Sequence, residues 1–320
     1  MKKTALVLGG NGFIGHHLAR KLKANGYFVR TVDIKEYVFG NIDYTDDYCI
    51  ADLTAIKQFE SIINEISFDE VYMLAAWMGG AGIICSGEYD AKILRDNLLI
   101  DLNTIELCKK YKVKKVFYSS SSCVYNTNIH KENLVYPANP DSDYGFAKLT
   151  GERLFQTYAR NYGLDVRIAR FQNIYGEEDA WNNGKEKAVA AICRKVAYAR
   201  NNDVIEIWGD GKQIRSFVYI DDCLKGIELL MADTDFKGPV NIGSANAISI
   251  NNLVSYIVQI ARKNISLVYV PGPSGSDIRY CDNTLIKEKL NWEPNYPLEK
   301  GLTNTYNWIL QQINENKEDK

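Results

Sequence analysis

The sequence predicts an α/β protein with a doubly wound parallel sheet and a smaller mixed α/β lobe toward the C-terminal end. Short apolar runs alternate with amphipathic helical stretches up to residue 171, a pattern typical of parallel strands covered by helices on both faces. Beyond that point the strands shorten and the loops lengthen. We expect one domain over residues 1–171, to which residues 216–243 return. A second lobe would comprise residues 172–215 and 244–320.

The first predicted strand, residues 4–8, leads into a turn with glycines at 9, 12 and 15, and a helical pattern follows. A glycine turn between a strand and a helix places backbone N–H groups and the positive end of the helix dipole toward a pyrophosphate. The sequence therefore predicts a Rossmann-type dinucleotide site, with these candidates for contacting the cofactor: Gly9, Gly12, Phe13, Ile14 and Gly15.

The second and third predicted strands, residues 27–32 and 48–53, each end near an aspartate. Asp33 lies 18 residues after Gly15, where an acidic side chain is placed to bind the adenosine ribose. A carboxylate there repels the 2′-phosphate of NADP, so Asp33 favours NAD, although Lys35 leaves NADP open. Asp52, with Leu53, either contacts the adenine or caps the helix that follows.

The fourth predicted strand, residues 70–76, ends in small residues that permit close approach of a flat ligand. The cofactor-site candidates here are Leu74, Ala75 and Ala76. The glycine-rich loop 77–82 is either a flexible surface loop or one wall of a substrate site. Its Trp and Met side chains favour the second interpretation, with Met78, Gly79 and Gly80 as substrate-site candidates.

A long amphipathic helix, residues 90–111, carries Asn97, a further cofactor-site candidate. The fifth predicted strand, residues 113–118, runs directly into Ser119-Ser120-Ser121-Ser122-Cys123. In open α/β sheets chemistry collects beyond the carboxyl ends of the strands, and hydroxyl groups are costly to bury without partners. We therefore expect a sugar, a cofactor or both at this segment. Ser119 is assigned to the cofactor, and Ser121 and Ser122 to the substrate.

Tyr144 and Lys148 are four residues apart in a helix predicted from residue 141 to about 162, so they share one face. A lysine ammonium beside a phenol favours the phenolate and lowers its pKa. Such a tyrosine can take a proton from a sugar hydroxyl near neutral pH. The sixth predicted strand, residues 166–171, ends at Phe171, another cofactor-site candidate.

Three cations lie on separate loops of the second lobe: Lys187, Arg215 and Arg279, the last in the loop 272–279. Singly, each is typical of a solvated surface charge. Together they are candidates for binding a second pyrophosphate, that of a sugar nucleotide.

The composition excludes several classes of protein. Lys and Arg number 38 against 40 Asp and Glu, so nothing favours nucleic acid or an anionic membrane, and no apolar run reaches membrane-spanning length. The seven scattered cysteines lack CxxC spacing and fit a cytoplasmic protein without disulfides or zinc. His16 and His17 are expected to be partly exposed, and we predict no metal site.

Several motifs resemble those of the extended short-chain dehydrogenase/reductase family: Gly9-x-x-Gly12-x-x-Gly15, Leu74-Ala75-Ala76, Ser119-Ser120-Ser121, Tyr144-x-x-x-Lys148 and Arg170-Phe171-x-Asn173-x-Tyr175-Gly176. Within that family the chain looks most similar to the GDP-mannose 3,5-epimerases. That closer resemblance rests on Met78-Gly79-Gly80-Ala81-Gly82, Ser121-Ser122-Cys123-Val124-Tyr125, Lys185-Glu186-Lys187-Ala188 and the segments 208–217, 239–244 and 285–290.

The resemblance implies an oxidoreductase triad of Ser121, Tyr144 and Lys148, and an acid/base pair of Cys123 and Lys187. It also implies a homodimer formed through the helices 90–111 and 141–162. The further substrate-binding residues that it implies are Asn173, Lys187, Lys195, Trp208, Gln213, Arg215 and Arg279.

Removing a proton from a carbon of a sugar ring requires prior oxidation of the neighbouring carbon. A sugar ring C–H is far too weakly acidic for a side chain to remove, whereas a ketone on the neighbouring carbon lets an enolate carry the charge. We therefore predict an NAD-dependent epimerase of a GDP-hexose, GDP-mannose or a GDP-heptose relative. It would oxidise C4 transiently, invert C3, C5 or both, and reduce C4 again.

Two alternatives remain. An enzyme acting by redox chemistry at C4 alone, a 4-epimerase or 4-dehydrogenase, would use the same triad, with Cys123 as a buried packing residue. An NAD-binding regulator without catalysis is disfavoured because Ser121, Tyr144 and Lys148 are all present.

Overall fold

The structure is a computed structural model that describes residues 2–272 and 278–318, so part of the loop 272–279 lies outside the described residues. The strands are β1 (Thr4–Leu8), β2 (Phe28–Asp33), β3 (Asp47–Ile50), β4 (Glu70–Met73), β5 (Lys115–Ser121), β6 (Ile129–His130), β7 (Asp165–Phe171), β8 (Asn173–Tyr175), β9 (Val204–Trp208), β10 (Ile214–Tyr219), β11 (Val240–Ile242), β12 (Ala247–Ser249), β13 (Ser266–Val270) and β14 (Tyr280–Cys281). The helices are α1 (Phe13–Ala24), α2 (Ile56–Ile63), α3 (Ala81–Ile84), α4 (Asp90–Lys110), α5 (Asp143–Tyr162), α6 (Ala188–Tyr198), α7 (Ile220–Ala232), α8 (Ile250–Ala261), α9 (Thr284–Leu290) and α10 (Leu298–Glu318).

Seven strands form one sheet in the order β11-β7-β5-β4-β1-β2-β3, and every pair in it is parallel. This confirms the predicted doubly wound α/β fold. The chain leaves β1 in one direction through β2 and β3, then returns to β4 on the other side. The order therefore reverses between β1 and β4, and ligands bind in the crevice at such a switch point.

The apolar strands are buried on both faces because helices cover them. Residues 5–8 of β1 and the central residues of β5 and β7 are buried, and two large hydrophobic clusters occupy the two sides of the sheet. Helices α4 and α5 pack side by side, and α5 also crosses the end of β5. This packing brings the helix with Tyr144 and Lys148 against the serine-rich end of β5.

The remaining strands form small sheets. β10 lies between β12 and β8, β13 pairs with β9, and β14 pairs with β6. Strand β11, which comes after β10 and α7 in the chain, pairs in parallel with β7 at the edge of the large sheet. Helix α10, for which the sequence analysis made no prediction, packs against α6 and α8.

The predicted third strand was too long. Strand β3 ends at Ile50, so Asp52 lies in the turn before α2, where its Oδ1 accepts hydrogen bonds from the backbone N–H (2.9 Å) and hydroxyl (2.7 Å) of Thr54. Among the helices formed by the described residues, none is long and apolar enough to cross a membrane.

Candidate functional site

The glycine turn after β1 forms a cradle that side chains would fill. Gly9 has φ +80°, and a Cβ there would lie 2.7 Å from the backbone nitrogen of Ala75. A Cβ on Gly15 would lie 2.0 Å from the carbonyl oxygen of Gly9. Helix α1 begins after Gly12 without a side-chain cap, so its first N–H groups are free to bind an anion. The residues present therefore fit the pyrophosphate of a dinucleotide, and Phe13 and Ile14 occupy the first turn of the helix.

Asp33 ends β2 beside this cradle. Its Oδ2 accepts from the backbone N–H of Asn11 at 3.0 Å, and its Oδ1 accepts from that of Lys35 at 3.2 Å. Each oxygen retains a lone pair for a ribose hydroxyl. Burial raises the pKa of Asp33, against the effect of these hydrogen bonds and of the Lys35 charge. Lys35 is the residue whose charge left NADP open as a cofactor, and its backbone N–H donates to the Asp33 carboxylate.

The other cofactor-site candidates line the carboxyl edge of β4, β5 and β7. The backbone N–H of Leu74 donates to Leu8 O at 3.0 Å, which fixes Leu74–Ala76 beside Gly9. Ser119 is buried, and its hydroxyl donates to Met73 O at 2.8 Å. The Asn97 side chain accepts from the Trp77 N–H (2.8 Å) and donates to the Trp77 carbonyl (3.1 Å). Asn97 therefore also holds the Trp77 loop, and Leu53 and Phe171 are buried. The cofactor contacts of these three residues stay predictions.

Ser121, Tyr144 and Lys148 meet where β5 ends against α5. The Ser121 side chain hydrogen-bonds that of Tyr144 and accepts from the backbone N–H of Cys123 at 3.2 Å. Tyr144 is 6% exposed and Lys148 is 2% exposed, and both lie on the buried face of α5. The capping of α5 by Ser142, which accepts from the Gly145 N–H at 3.2 Å, fixes the start of this helix.

The expected lowering of the Tyr144 pKa by Lys148 is wrong. Burial raises the pKa of Tyr144, and the nearby Cys123 adds to this effect, while the Ser121 hydrogen bond opposes it. Burial also lowers the pKa of Lys148, and Asp101 and Glu152 counteract that shift. The dominant influence on both groups is thus desolvation, which a spacing of four residues does not reveal.

Cys123 lies in a short 3₁₀ turn, Ser122–Val124, next to Tyr144. Cys123, Tyr144 and Ile93 form a small buried cluster against which Trp77 and Met78 pack. The close approach depends on Gly145, where a Cβ would lie 2.2 Å from the Cys123 carbonyl oxygen. The structure therefore places the Cys123 thiol and the Tyr144 phenol in one buried cluster, and Ser122 is buried beside them.

The glycine-rich loop 77–82, here called the Met78 loop, also contacts the segment that carries Lys187. The Gly80 N–H donates to Lys185 O at 3.1 Å, and a Cβ on Gly80 would lie 2.3 Å from the Glu186 carbonyl oxygen. Gly79 is equally confined, since its Cβ would lie 2.8 Å from Ile83. Lys187 itself precedes α6. Burial raises the pKa of Asp179, and the Lys187 charge opposes that rise without cancelling it.

Arg215 and Arg279 lie near one another. The Arg279 N–H donates to Ile214 O at 3.1 Å, and both arginines lower the pKa of His130, which burial brings to about 4. The Arg279 guanidinium pairs with Asp141 at 2.8 Å and lines a cavity of about 520 Å³ between the segments 125–128 and 139–143. This cavity adjoins the turn that carries Cys123.

The remaining substrate-site candidates are more dispersed. Asn173 donates to Ser216 O at 2.9 Å, and Lys195 donates to Glu206 O at 2.6 Å. Gln213 is buried, and its Oε1 has no hydrogen-bond partner within the described ranges. Trp208 is half exposed, and its ring contacts Gly82 of the Met78 loop, where a Cβ would lie 3.4 Å away.

Sequence reasoning missed a polar cluster on α1. His16 is fully buried, contrary to the expected exposure, and its Nδ1 lies 2.8 Å from Gly12 O. Its Nε2 lies 2.7 Å from a carboxylate oxygen of Glu178, which also accepts from Tyr37 at 2.8 Å. His17 lies in the same group, and burial lowers its pKa to about 4. The tertiary contact with Glu178 left no local signal in the sequence.

Comparison with known proteins gives a consistent result. The model of the NAD dependent epimerase/dehydratase family matches residues 5–243. The GDP-mannose 3,5-epimerase of Arabidopsis thaliana is 39% identical over 320 residues, covering 97% of this chain and 83% of that protein. A putative UDP-glucose 4-epimerase of Methanocaldococcus jannaschii is 32% identical over 95% of this chain and 97% of its own. The crystal structure of UDP-glucose 4-epimerase from Thermotoga maritima with UDP-glucose superimposes with a TM-score of 0.86 at 29% identity, covering 97% of this chain and 99% of that one.

Proposed function

The chain belongs to the NAD dependent epimerase/dehydratase family, and from that premise we propose that it epimerises a GDP-linked hexose at C3, C5 or both through a transient C4 ketone. The family membership confirms the predicted extended short-chain dehydrogenase/reductase resemblance, the enzymatic function and the use of NAD. The substrate is proposed as GDP-linked because the GDP-mannose 3,5-epimerases are more similar to this chain than the 4-epimerase relative is, at 39% against 32% identity.

The observation that carries the proposal is the position of Cys123. Oxidation at C4 needs only a base and a hydride acceptor, which Tyr144 and the cofactor supply. A second ionisable group packed against Tyr144 is superfluous for that step, yet it is what proton removal from a carbon beside the ketone requires. Cys123 and Tyr144 share one buried cluster, and the Met78 loop joins that cluster to the Lys187 segment.

We propose the roles that the resemblance implies. Tyr144 takes the proton of the C4 hydroxyl, and Ser121 hydrogen-bonds the C4 oxygen. The glycine cradle and Asp33 would hold NAD, which would supply the hydride acceptor for C4 and a positive charge that favours the Tyr144 phenolate against the effect of burial. Lys148 keeps a positive charge beneath the phenol. Cys123 exchanges a proton with the carbon next to the ketone, and Lys187 exchanges one on the opposite face of the ring. Arg215 and Arg279 bind the diphosphate.

The test is incubation with GDP-mannose in deuterated water, followed by NMR. We expect deuterium at C3 or C5 of the recovered sugar nucleotide. Because general acid/base groups contribute roughly 10²- to 10⁴-fold, Cys123→Ala should lose at least about 100-fold in exchange while retaining NAD. Cys85→Ala, at the exposed cysteine after α3, is the matched control and should exchange normally. Wild-type exchange in Cys123→Ala would contradict the assigned role of the thiol.

A second function is favoured by one finding, the relatives named as UDP-glucose 4-epimerases. In that case the triad oxidises and reduces C4 alone, and Cys123 is a packing residue. Incubation with UDP-glucose would then give its C4 epimer without deuterium on carbon. Labelled product from GDP-mannose excludes this alternative.

The expected homodimer is likewise a proposal. Helices α4 and α5 pack against each other, and α4 exposes Leu99 and Leu102 while α5 exposes Phe146. Apolar side chains on two neighbouring helices fit a two-fold interface with a second copy of the same helices.

A further inference from the structure

A carboxylate that the mechanism above does not use lies beneath the triad. Asp101, on α4, is 1% exposed, and its Oδ2 accepts from the Tyr118 hydroxyl at 2.8 Å. That hydroxyl also lies 3.3 Å from the backbone carbonyl of Lys148. The second oxygen, Oδ1, is buried and has no hydrogen-bond partner within the described part of the chain. A buried carboxylate that is only half satisfied is costly, so its presence here calls for a functional explanation.

The local packing places Asp101 against the triad helix. A Cβ on Gly151 of α5 would lie 2.3 Å from Asp101 Oδ2 and 2.0 Å from the Tyr118 hydroxyl. Because Gly151 lacks a side chain, α5 can approach both groups closely. Lys148, one turn earlier on α5, has its Nζ 5.0 Å from the centre of the Tyr118 ring. A carboxylate, a phenol and an ammonium therefore occupy one buried region.

We propose that Asp101 is a positioning residue for the Tyr144–Lys148 pair, in which its carboxylate, anchored by Tyr118, keeps the buried Lys148 ammonium charged beneath Tyr144. The proposal rests on the proposed function for the role of Tyr144 and Lys148, and it adds the group that maintains their charge. Asp101 contacts neither substrate nor cofactor in this account and acts through Lys148.

Several ionisable groups face this carboxylate. From α5, Lys148 and Tyr144 both respond to it: the Asp101 charge raises the pKa of each. From β5, Tyr118 donates its hydrogen bond, and Glu152 of α5 acts on the same lysine. Burial raises the pKa of Asp101 to about 6, and Lys148 counteracts that shift. Asp101 is therefore ionised under neutral conditions and becomes protonated in mild acid.

The test is the pH dependence of turnover in Asp101→Asn. Asparagine keeps the size of the side chain and an oxygen for the Tyr118 hydrogen bond, but it removes the charge. Without that charge Tyr144 forms a phenolate at lower pH and Lys148 loses its proton at lower pH. Both limbs of the pH profile of kcat/KM should therefore move to lower pH, by about one unit for a charge at this range. A purely structural role would lower activity without moving either limb, and that result would overturn the proposal.

The matched control is Asp96→Asn on the same helix. Asp96 is buried, and it pairs with two exposed cations, Lys92 at 2.7 Å and Arg95 at 2.8 Å. Its loss should leave the pH profile unchanged. If the wild type turns over neither GDP-mannose nor UDP-glucose, the proposed function fails, and the following measurement decides the Asp101 proposal by itself.

That measurement uses ¹³C-labelled aspartate carboxyl groups and leaves Asp101 intact. We expect one carboxyl signal that titrates near pH 6 in the wild type and at higher pH in Lys148→Met, because the variant lacks the ammonium that favours the carboxylate. The signal should be absent in Asp101→Asn if that variant folds. A titration that Lys148→Met leaves unchanged would show that the two groups do not interact, and would refute the proposal.

Discussion

Two carboxylates are buried where helix α5 packs against its neighbours, Glu152 on α5 and Asp101 on α4, and the protein pairs them differently. Glu152 is 3% exposed and receives two hydrogen bonds from Arg170, at 2.8 and 2.7 Å, and one from Ser120 at 2.5 Å. Asp101 is equally buried, but among the described residues it has a single neutral hydrogen-bond partner, and its Oδ1 has none. Burial alone therefore does not determine the behaviour of a carboxylate: the paired one fixes structure, and the half-paired one is free to titrate.

The Glu152 network ties the floor of the site together. Arg170 on β7 also donates to the Tyr125 hydroxyl at 2.9 Å, and Tyr125 donates to the Asn241 side chain at 2.8 Å. Ser120, on β5, lies between the cofactor-site candidate Ser119 and the triad residue Ser121. The network thus joins α5, β5, β7 and β11 directly below the candidate site, and its members fix the strand end from which Ser121 and Cys123 project.

The largest effect that distinguishes the two carboxylates should come from Glu152→Gln. The variant leaves the Arg170 guanidinium buried without its counter-charge, and breaking a buried pair in this way costs about 3 to 5 kcal/mol. Urea unfolding at pH 7 measures the loss. Glu228→Gln, which removes an exposed pair with Lys225, is the control and should cost no more than about 1 kcal/mol. Equal losses in the two variants would mean that the buried network does not hold the site together.

The same contrast separates what sequence could predict from what it could not. The glycine cradle was predictable because a strand, a tight turn and a helix start are local, and the glycines are required by the backbone itself. The Tyr144–Lys148 face was predictable from helical spacing alone. Asp101 was not, because its burial depends on Gly151, fifty residues later in the chain and on another helix.

Two further differences have the same origin. His16 was expected to be exposed and instead meets Glu178. The Tyr144 pKa was expected to fall and is raised by burial. Each depends on which groups the tertiary fold places nearby. The assignments of Lys187, Arg215 and Arg279 to the substrate stay predictions.

The next effect concerns stability and pH. Burial raises the pKa of Asp101 from 3.8 to about 6, so the folded state favours the protonated form. The stability contributed by this group is fully present below pH 3.8 and is lost as pH rises through about 6. Asp101→Asn has no such charge. The free energy of unfolding of the variant relative to the wild type should therefore rise by about 2 to 3 kcal/mol between pH 4 and pH 7.

Asp96→Asn is the control for this slope because the pKa shift of Asp96 has the opposite sign. Lys92 and Arg95 outweigh desolvation and lower the pKa of Asp96, so its stability contribution is present at neutral pH and is lost as pH falls. Because that loss occurs below the ordinary pKa of 3.8, the stability of Asp96→Asn relative to the wild type should stay nearly constant between pH 4 and pH 7. Urea unfolding at four pH values between 4 and 7 measures both slopes. Parallel slopes for the two variants would show that burial does not raise the pKa of Asp101.

The smallest effect should come from Ser120→Ala, because it weakens the paired carboxylate without leaving it unpaired. The hydroxyl donates to Glu152 Oε1, which still accepts from the Arg170 Nε in the variant. A hydrogen bond to a charged group contributes roughly 1.5 to 3 kcal/mol, and we expect a loss at the lower end, about 1.5 kcal/mol. A double-mutant cycle with Glu152→Gln isolates the interaction. Because the hydroxyl acts through the carboxylate charge, the loss caused by Ser120→Ala should shrink in the Glu152→Gln background. If the two losses simply add, Ser120 stabilises the strand by packing, and the paired carboxylate is held by Arg170 alone.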